Sequence, residues 1–318
     1  MSIVPTTRMR AAALAAVATA AVFTSACSTS HDDSAGGKSR QLVAQAMVLP
    51  DAKVRATWPK AQVDRGLAKG MRLPLQDYMM ASSDVVDVEN ARDLVKQQCM
   101  QHLGLSFTPE PSGLNPASAY DAMNMKRRYG ISDRTEAARL GFAAPQDAED
   151  DTQAEDAELA KEDAESSVSG WDTAMNDTCI PEANNKVGVL FETDLSGDLA
   201  SQSYEATSTR PAVKAALTSW SSCMKNHGYQ VKSIDDAEGR FATPKLHGLK
   251  PAKDEVAMAT VDVDCKQAAD LVPAWYQAES TYQKEQITSH LKELQAERAH
   301  NQRLVQKAHA VLAAAATR

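Results

Sequence analysis

The chain has 318 residues, with 34 Lys and Arg against 42 Asp and Glu, a net charge of −8 and only 5% aromatic residues. That balance argues against nucleic acid or an anionic lipid surface as a partner, because both reward Lys and Arg. Sparse Gly and Pro, plentiful Ala and few β-branched runs point to a mainly α-helical protein with a modest core, in one or two domains.

Arg8 and Arg10 open the chain, Ala11 to Phe23 is apolar except for Thr19, and Thr24, Ser25 and Ala26 precede Cys27. Charge, apolar run and small residues in that order read as an export signal over residues 1–26. The run is too short for a hydrocarbon core that takes about twenty residues, so it does not read as a transmembrane helix. It resembles a bacterial lipoprotein signal, which implies cleavage before Cys27 and a diacylglyceryl group on that residue. More than one acyl chain is what stable anchoring needs. Thr24 stands where an aliphatic residue is usual, so plain secretion after Thr-Ser-Ala is the alternative. Losing Arg8 and Arg10 with the leader takes the net charge from −8 to −10. Residues 27–40, with Gly36-Gly37, read as a flexible tether.

A first helical unit is expected over 41–209. Val88, Ala91, Val95, Cys99 and Leu103 recur at helical steps, starting at Ser82 or Asp84 and stopping at Gly104. Phe107 to Pro116 reads as loop, and Met123 to Arg128 as one short helix broken at Gly130. Asp133 with Glu136 looks like a helix start and Gly141 like its stop. The run 146–167 is rich in Asp, Glu and Ala, with Lys161 its only cation, and reads as a solvated linker or an exposed helix. It lacks the spacing and central Gly of a calcium loop. Lys186 to Glu192 is the best strand candidate, with a short helix equally tenable.

A second unit is expected over 210–318. Pro211 suits the first position of a helix whose Val213, Ala216, Leu217, Trp220, Cys223 and Met224 share a face, ending at Gly228. Ala252 to Leu271 reads as helix. Pro273 opens a long C-terminal helix to about Ala315, roughly 60 Å at the usual rise. Ile287, Leu291, Leu294, Asn301, Leu304, Ala308, Val311 and Leu312 keep a near-heptad seam along it, broken by Arg298.

Two segments repeat. Cys99-Met100 and Cys223-Met224 each end an amphipathic helix, five residues before Gly104 and Gly228, with an apolar Leu105 or Tyr229 beyond. Each unit then meets a second cysteine, Cys179 or Cys265. Four cysteines allow three pairings, and spacing alone does not choose. A duplicated module with one internal bridge each favours Cys99–Cys179 and Cys223–Cys265, in an oxidising compartment where bridges persist. Cys27 is then the odd one of five. A soft-metal reading of Cys99-Met100-His102 and Cys223-Met224-His227 is the sharper alternative, but no Cys-x-x-Cys or His-x-x-x-His accompanies it, so no metal or other cofactor is assigned. The same absence argues against thiol redox chemistry.

No catalytic residues stand out. Gly-x-Ser-x-Gly, His-Glu-x-x-His and a phosphate loop are all absent. Ser222 and Lys225 match Ser-x-x-Lys without its companion motifs. His290, His300 and His309 fall on scattered faces of a solvated helix, Asp235 and Asp236 are an acidic pair expected of this composition, and Asp262 and Asp264 are expected to face water.

Trp220-x-x-Cys223-Met224 with Gly228, and Arg128-Tyr129-Gly130 with the Ala-containing helix after it, resemble a family of uncharacterised secreted lipoproteins of high-GC Gram-positive bacteria. The likeness runs from about Leu73 onward. It implies no catalytic residues, and it implies an accessory role near envelope efflux components. The expectation is therefore a lipid-anchored, non-enzymatic envelope protein on the outer face of the cytoplasmic membrane. Its body has two disulfide-stapled helical units, and its long C-terminal helix is the expected contact for an envelope protein. The alternatives are a solute-binding subunit of an importer and an envelope hydrolase without a recognisable motif.

Overall fold

Helix ends explain the repeated Cys-Met segments. A computed structural model describes residues 55, 58, 62–110, 112–113, 123–143, 161, 163–241 and 251–316. The leader, Cys27, the tether and most of the acidic run at 146–167 lie outside the described residues. Helix α1 (Ser82–His102) stops where the Leu105 N–H reaches back to the Met100 carbonyl at 2.9 Å and the Gly104 N–H to Gln101 at 3.0 Å, with Gly104 at φ 74°. This is a Schellman stop, which needs a left-handed residue and an apolar contact across it. Met100 and Leu105 supply that contact in one cluster with Cys99 and Cys179. The α1 stripe holds for Val88, Ala91, Val95 and Cys99, but Leu103 caps the helix and is exposed; buried Met100 takes its place.

Short helices follow as the chain proceeds. Asp133 accepts from the N–H groups of Thr135 and Glu136 and so starts α2 (Arg134–Leu140), which ends at Gly141. The expected helix over Met123–Arg128 is a series of turns instead. A continuous run then comprises α3 (Trp171–Ala174), a π-turn (Met175–Cys179) and α4 (Ile180–Lys186). Lys186 to Glu192 is not a strand: α4 ends at Lys186 and the rest is turn and coil, with Val187 buried. Among the described residues there is no strand, only the isolated bridges Val63–Lys69 and Arg128–Gly130.

Among the described residues, the second half is built of helices joined by turns and coil. It comprises α5 (Leu195–Ser208), α6 (Pro211–Asn226), α7 (Ile234–Gly239), α8 (Lys253–Ala268), α9 (Leu271–Ser289) and α10 (Leu291–Ala316). Helix α6 ends as α1 does: Tyr229 N–H to Met224 and Gly228 N–H to Lys225, both at 2.9 Å, with Gly228 at φ 90°. The expected helix from Pro273 begins two residues earlier and breaks at His290 (φ −119°, ψ 22°). No Gly or Pro marks that break. Thr288 and Ser289 turn their hydroxyls onto the carbonyls of Lys284 and Glu285, which weakens the turn.

The C-terminal seam serves the body of the molecule. Leu304 and Ala308 pack with Val88, Ala91 and Val95 of α1, and Leu294 packs with Leu199 and Ala200 of α5. Leu291 leaves the seam and is exposed. The main core joins Leu73, Tyr129 and Ile131 to Trp220, Met224, Val263 and Trp275, so it crosses the boundary drawn at 209/210.

Buried charge is used as a clasp. Glu279 on α9 is fully buried and receives the Arg128 guanidinium, the Tyr129 hydroxyl at 2.9 Å and the Ser203 hydroxyl at 2.7 Å. Burial and the Glu279 charge push the Tyr129 hydroxyl pKa up, so it stays a donor. Tyr204 stacks on Trp275 at 4.6 Å, and the Arg128 guanidinium lies over the Tyr204 ring at 5.3 Å. Gly130 (φ 71°) has no room for a Cβ, which would stand 2.5 Å from Ile234 and 2.7 Å from Lys266. The Arg-Tyr-Gly segment is thus a structural joint. Glu297 on α10 accepts from the N–H groups of Leu195 and Ser196 at 2.8 and 3.2 Å, completing the start of α5.

Candidate ligand pocket

Three junctions border a half-open cavity of about 440 Å³ beside the start of α1. Met79 and Met80 enter from the segment before α1, and Val85, Val86 and Glu89 from its first two turns. The start of α5 contributes Asp194, Gly197, Asp198 and Ser201, while Trp58, Gly113 and Met123 close one side and Phe191 stands at another.

Hydrogen bonds fix these walls. Asn90 of α1 grips Ser112, accepting its N–H at 2.9 Å and donating to its carbonyl at 3.2 Å. That grip sets Gly113, whose carbonyl takes the Trp58 indole N–H at 2.8 Å. A Cβ on Gly113 would lie 2.7 Å from both Trp58 and Val86, and its φ of 86° is left-handed, so the approach depends on glycine. Asp194 is the N-cap of α5 and accepts from the Gly197 N–H. A Cβ on Gly197 would meet that carboxylate at 2.5 Å. Phe191 is more than half exposed and lies at φ 54°, a costly conformation for an aromatic residue. The buried Ser82 hydroxyl oxygen at the rim has no hydrogen-bond partner.

The walls mix apolar and polar side chains, and the charges among the described lining residues are all of one sign. Glu89, Asp194 and Asp198 line the cavity, and no Lys, Arg or His does among the described residues. Burial, opposed by His309 and aided by Asp87, raises the pKa of neighbouring Asp84. A cleft of this size, part apolar and part polar, suits a small molecule.

The residues singled out from sequence lie elsewhere. Bridges join Cys99 to Cys179 and Cys223 to Cys265, at Cα separations of 5.5 and 5.6 Å. Cys223, His227 and Cys265 put their ligand atoms within 4.8 Å of one another. The two sulfurs are bonded to each other there, which removes the thiolates a soft metal would need. Ser222 donates to the Thr218 carbonyl at 2.8 Å, as a helical serine commonly does. His300 approaches Glu192 at 3.8 Å and His309 approaches Asp87 at 3.3 Å, so both meet carboxylates of other segments. Asp236 accepts from the Lys232 N–H at 2.8 Å.

Asp262 overturns its expected place in water. It is fully buried, accepts from the Trp220 indole at 2.8 Å and pairs with fully buried Lys266 at 2.7 Å. Lys266 also donates to the Ile131 carbonyl at 3.0 Å. Asp264 is exposed and pairs with Arg134. The i, i+4 spacing of Asp262 and Lys266 was visible in sequence, but Trp220 above it was not.

No pocket residue formed a motif, because they come from separate segments. Only the paired methionines at 79–80 and the apolar run ending at Phe191 were there to notice. No known protein family, characterised protein or solved structure matches this chain.

Proposed function

We propose that the protein is an extracytoplasmic lipoprotein, held on the outer face of the cytoplasmic membrane by lipid on Cys27, that acts by binding and not by catalysis. Cysteine accounting carries the reading. Five cysteines are present and two bridges engage four of them, and the fifth, Cys27, stands in sequence just after a leader-like segment. Bridges of this kind belong to exported proteins. A pocket walled by methionine, valine and aromatic side chains supports binding as the activity. An accessory role beside envelope transport or efflux components fits both. A protein partner meeting α10 does so through its solvated face, since Leu294, Leu304 and Ala308 face the body.

Mass spectrometry of intact protein from native membranes tests this. The expected mass is that of a chain beginning at Cys27, plus a diacylglyceryl group, less two hydrogens for each bridge. A chain cut at the same place without lipid and recovered from the medium would replace anchoring by secretion. An uncleaved chain with free thiols in the cytosol would end the proposal.

A further inference from the structure

We infer that the pocket between the starts of α1 and α5 binds a lipophilic cation, an apolar body carrying one positive head. This deepens the binding-protein reading above and rests on it.

Size comes first. A cavity of about 440 Å³ holds a drug-sized molecule and is too large for an ion alone. The walls then select an apolar body. Met79, Met80 and Met123 offer flexible, polarizable surface that adapts to different shapes, and Val85 and Val86 add fixed apolar contact. Trp58 and Phe191 present aromatic surface, which attracts positive charge to its face.

Charge selects the head. Glu89, Asp194 and Asp198 are the charged lining groups, and a ligand anion would face all three. A neutral ligand would displace water from Glu89 and Asp198 and offer no charge to offset the loss. A cation offsets that loss. Arg55 lies over the Trp58 ring at 5.1 Å, but Asp87 holds it at 2.7 Å and balances its charge. Phe191 adds a mechanical element. An exposed aromatic ring on a left-handed residue at the rim is a side chain kept out of the core by its own backbone, and a ligand body would cover it.

Two probes of matched size and opposite charge test the inference: tetraphenylphosphonium and tetraphenylborate. Each is titrated by calorimetry into the purified protein with both bridges intact. The phosphonium is expected to bind with saturation, and the borate at least about tenfold more weakly, because charge complementarity sets the preference. Glu89→Gln and Asp198→Asn should each weaken the phosphonium by about twofold to fivefold, the range for a part-exposed ion pair, with unchanged melting. Equal affinity for the two probes would show a merely apolar pocket and overturn the charge selection. Absence of saturable phosphonium binding, or affinity unmoved by both substitutions, would overturn the site. The titration does not depend on lipidation. Protein lacking lipid on Cys27 that still prefers the phosphonium keeps the pocket and loses the anchor, and lipidated protein that ignores the probe does the reverse.

Discussion

The two stapled helix ends share one design and differ in what lies beneath it. In both, a cysteine sits one residue before a fully buried methionine, and a left-handed glycine closes a Schellman stop. Three residues before the cysteine the two part. Trp220 is fully buried above the Asp262–Lys266 pair and belongs to the largest apolar cluster. Lys96 in the same place pairs with Asp93 and lies 5.5 Å over Phe107, in a cluster with four buried members among the described residues. Opposite them, Asp262 is buried while the matching Asn176 is exposed. One end is therefore held by packing with a bridge added, and the other depends on its bridge.

The bridges themselves give the largest test. Closing 80 residues removes about 4.5 kcal/mol of unfolded-state entropy and closing 42 about 4, in the chain-entropy account. Replacing Cys99 and Cys179 by Ala should cost more in urea denaturation than replacing Cys223 and Cys265. Hydrogen exchange should rise first around Leu105, Phe107 and Trp171. A larger loss at the second bridge would break the comparison. Next, Asp262→Ala leaves Lys266 buried without its counter-charge and should cost about 3–5 kcal/mol. Asn176→Ala, its counterpart in the first end, should cost less than about 0.5 kcal/mol in the same melts. Comparable losses would mean that the second end has no special dependence on buried charge.

The shared part should respond equally. Gly104→Ala and Gly228→Ala put a Cβ into open space at positive φ, so each should cost about 1 kcal/mol through strain alone. Unequal costs would show that the two stops are not one motif. The smallest effect concerns pH. Burial raises the Glu238 pKa, with Lys266, Arg127 and the Ile131 N–H opposing and Asp262 adding to the rise. A carboxyl raised on folding stabilises most when protonated; that contribution is whole below 4.5 and is lost as pH rises through the folded value. Glu238→Gln should therefore stabilise the protein slightly at pH 7, and melts at pH 4 should show that gain gone.

Local signals were readable and distant ones were not. Helices α1, α2, α6 and α8 announced themselves through apolar spacing, Asp133, Pro211 and terminal glycines, all of which act within a few residues. The pairing of the cysteines followed from the repeat. Helix α5 was missed because Leu195–Ser208 is built of Ser, Gly, Ala and Thr, and its buried face carries small side chains. The segment after Lys186 looked like a strand because its valines and Phe191 suit one. Gly188 instead turns it against Leu304 of a helix more than a hundred residues away. The break at His290 left no mark of the usual kind, since neither Gly nor Pro stands there. The pocket was invisible for the same reason as the Trp220–Asp262 contact: it exists only once Trp58, α1, Phe191 and α5 have met.

Glu279 ties the order of assembly to completeness. Its partners Arg128 and Tyr129 come from well before it, Ser203 from between, and the Ala200 carbonyl shares the same guanidinium. A C-terminal fragment from residue 210 would carry this carboxylate into its interior with no cation to meet it, and the Lys266 ammonium would lack the Ile131 carbonyl. Severed at that junction, each piece would miss what the other supplies, so the halves that look like copies are not interchangeable building blocks.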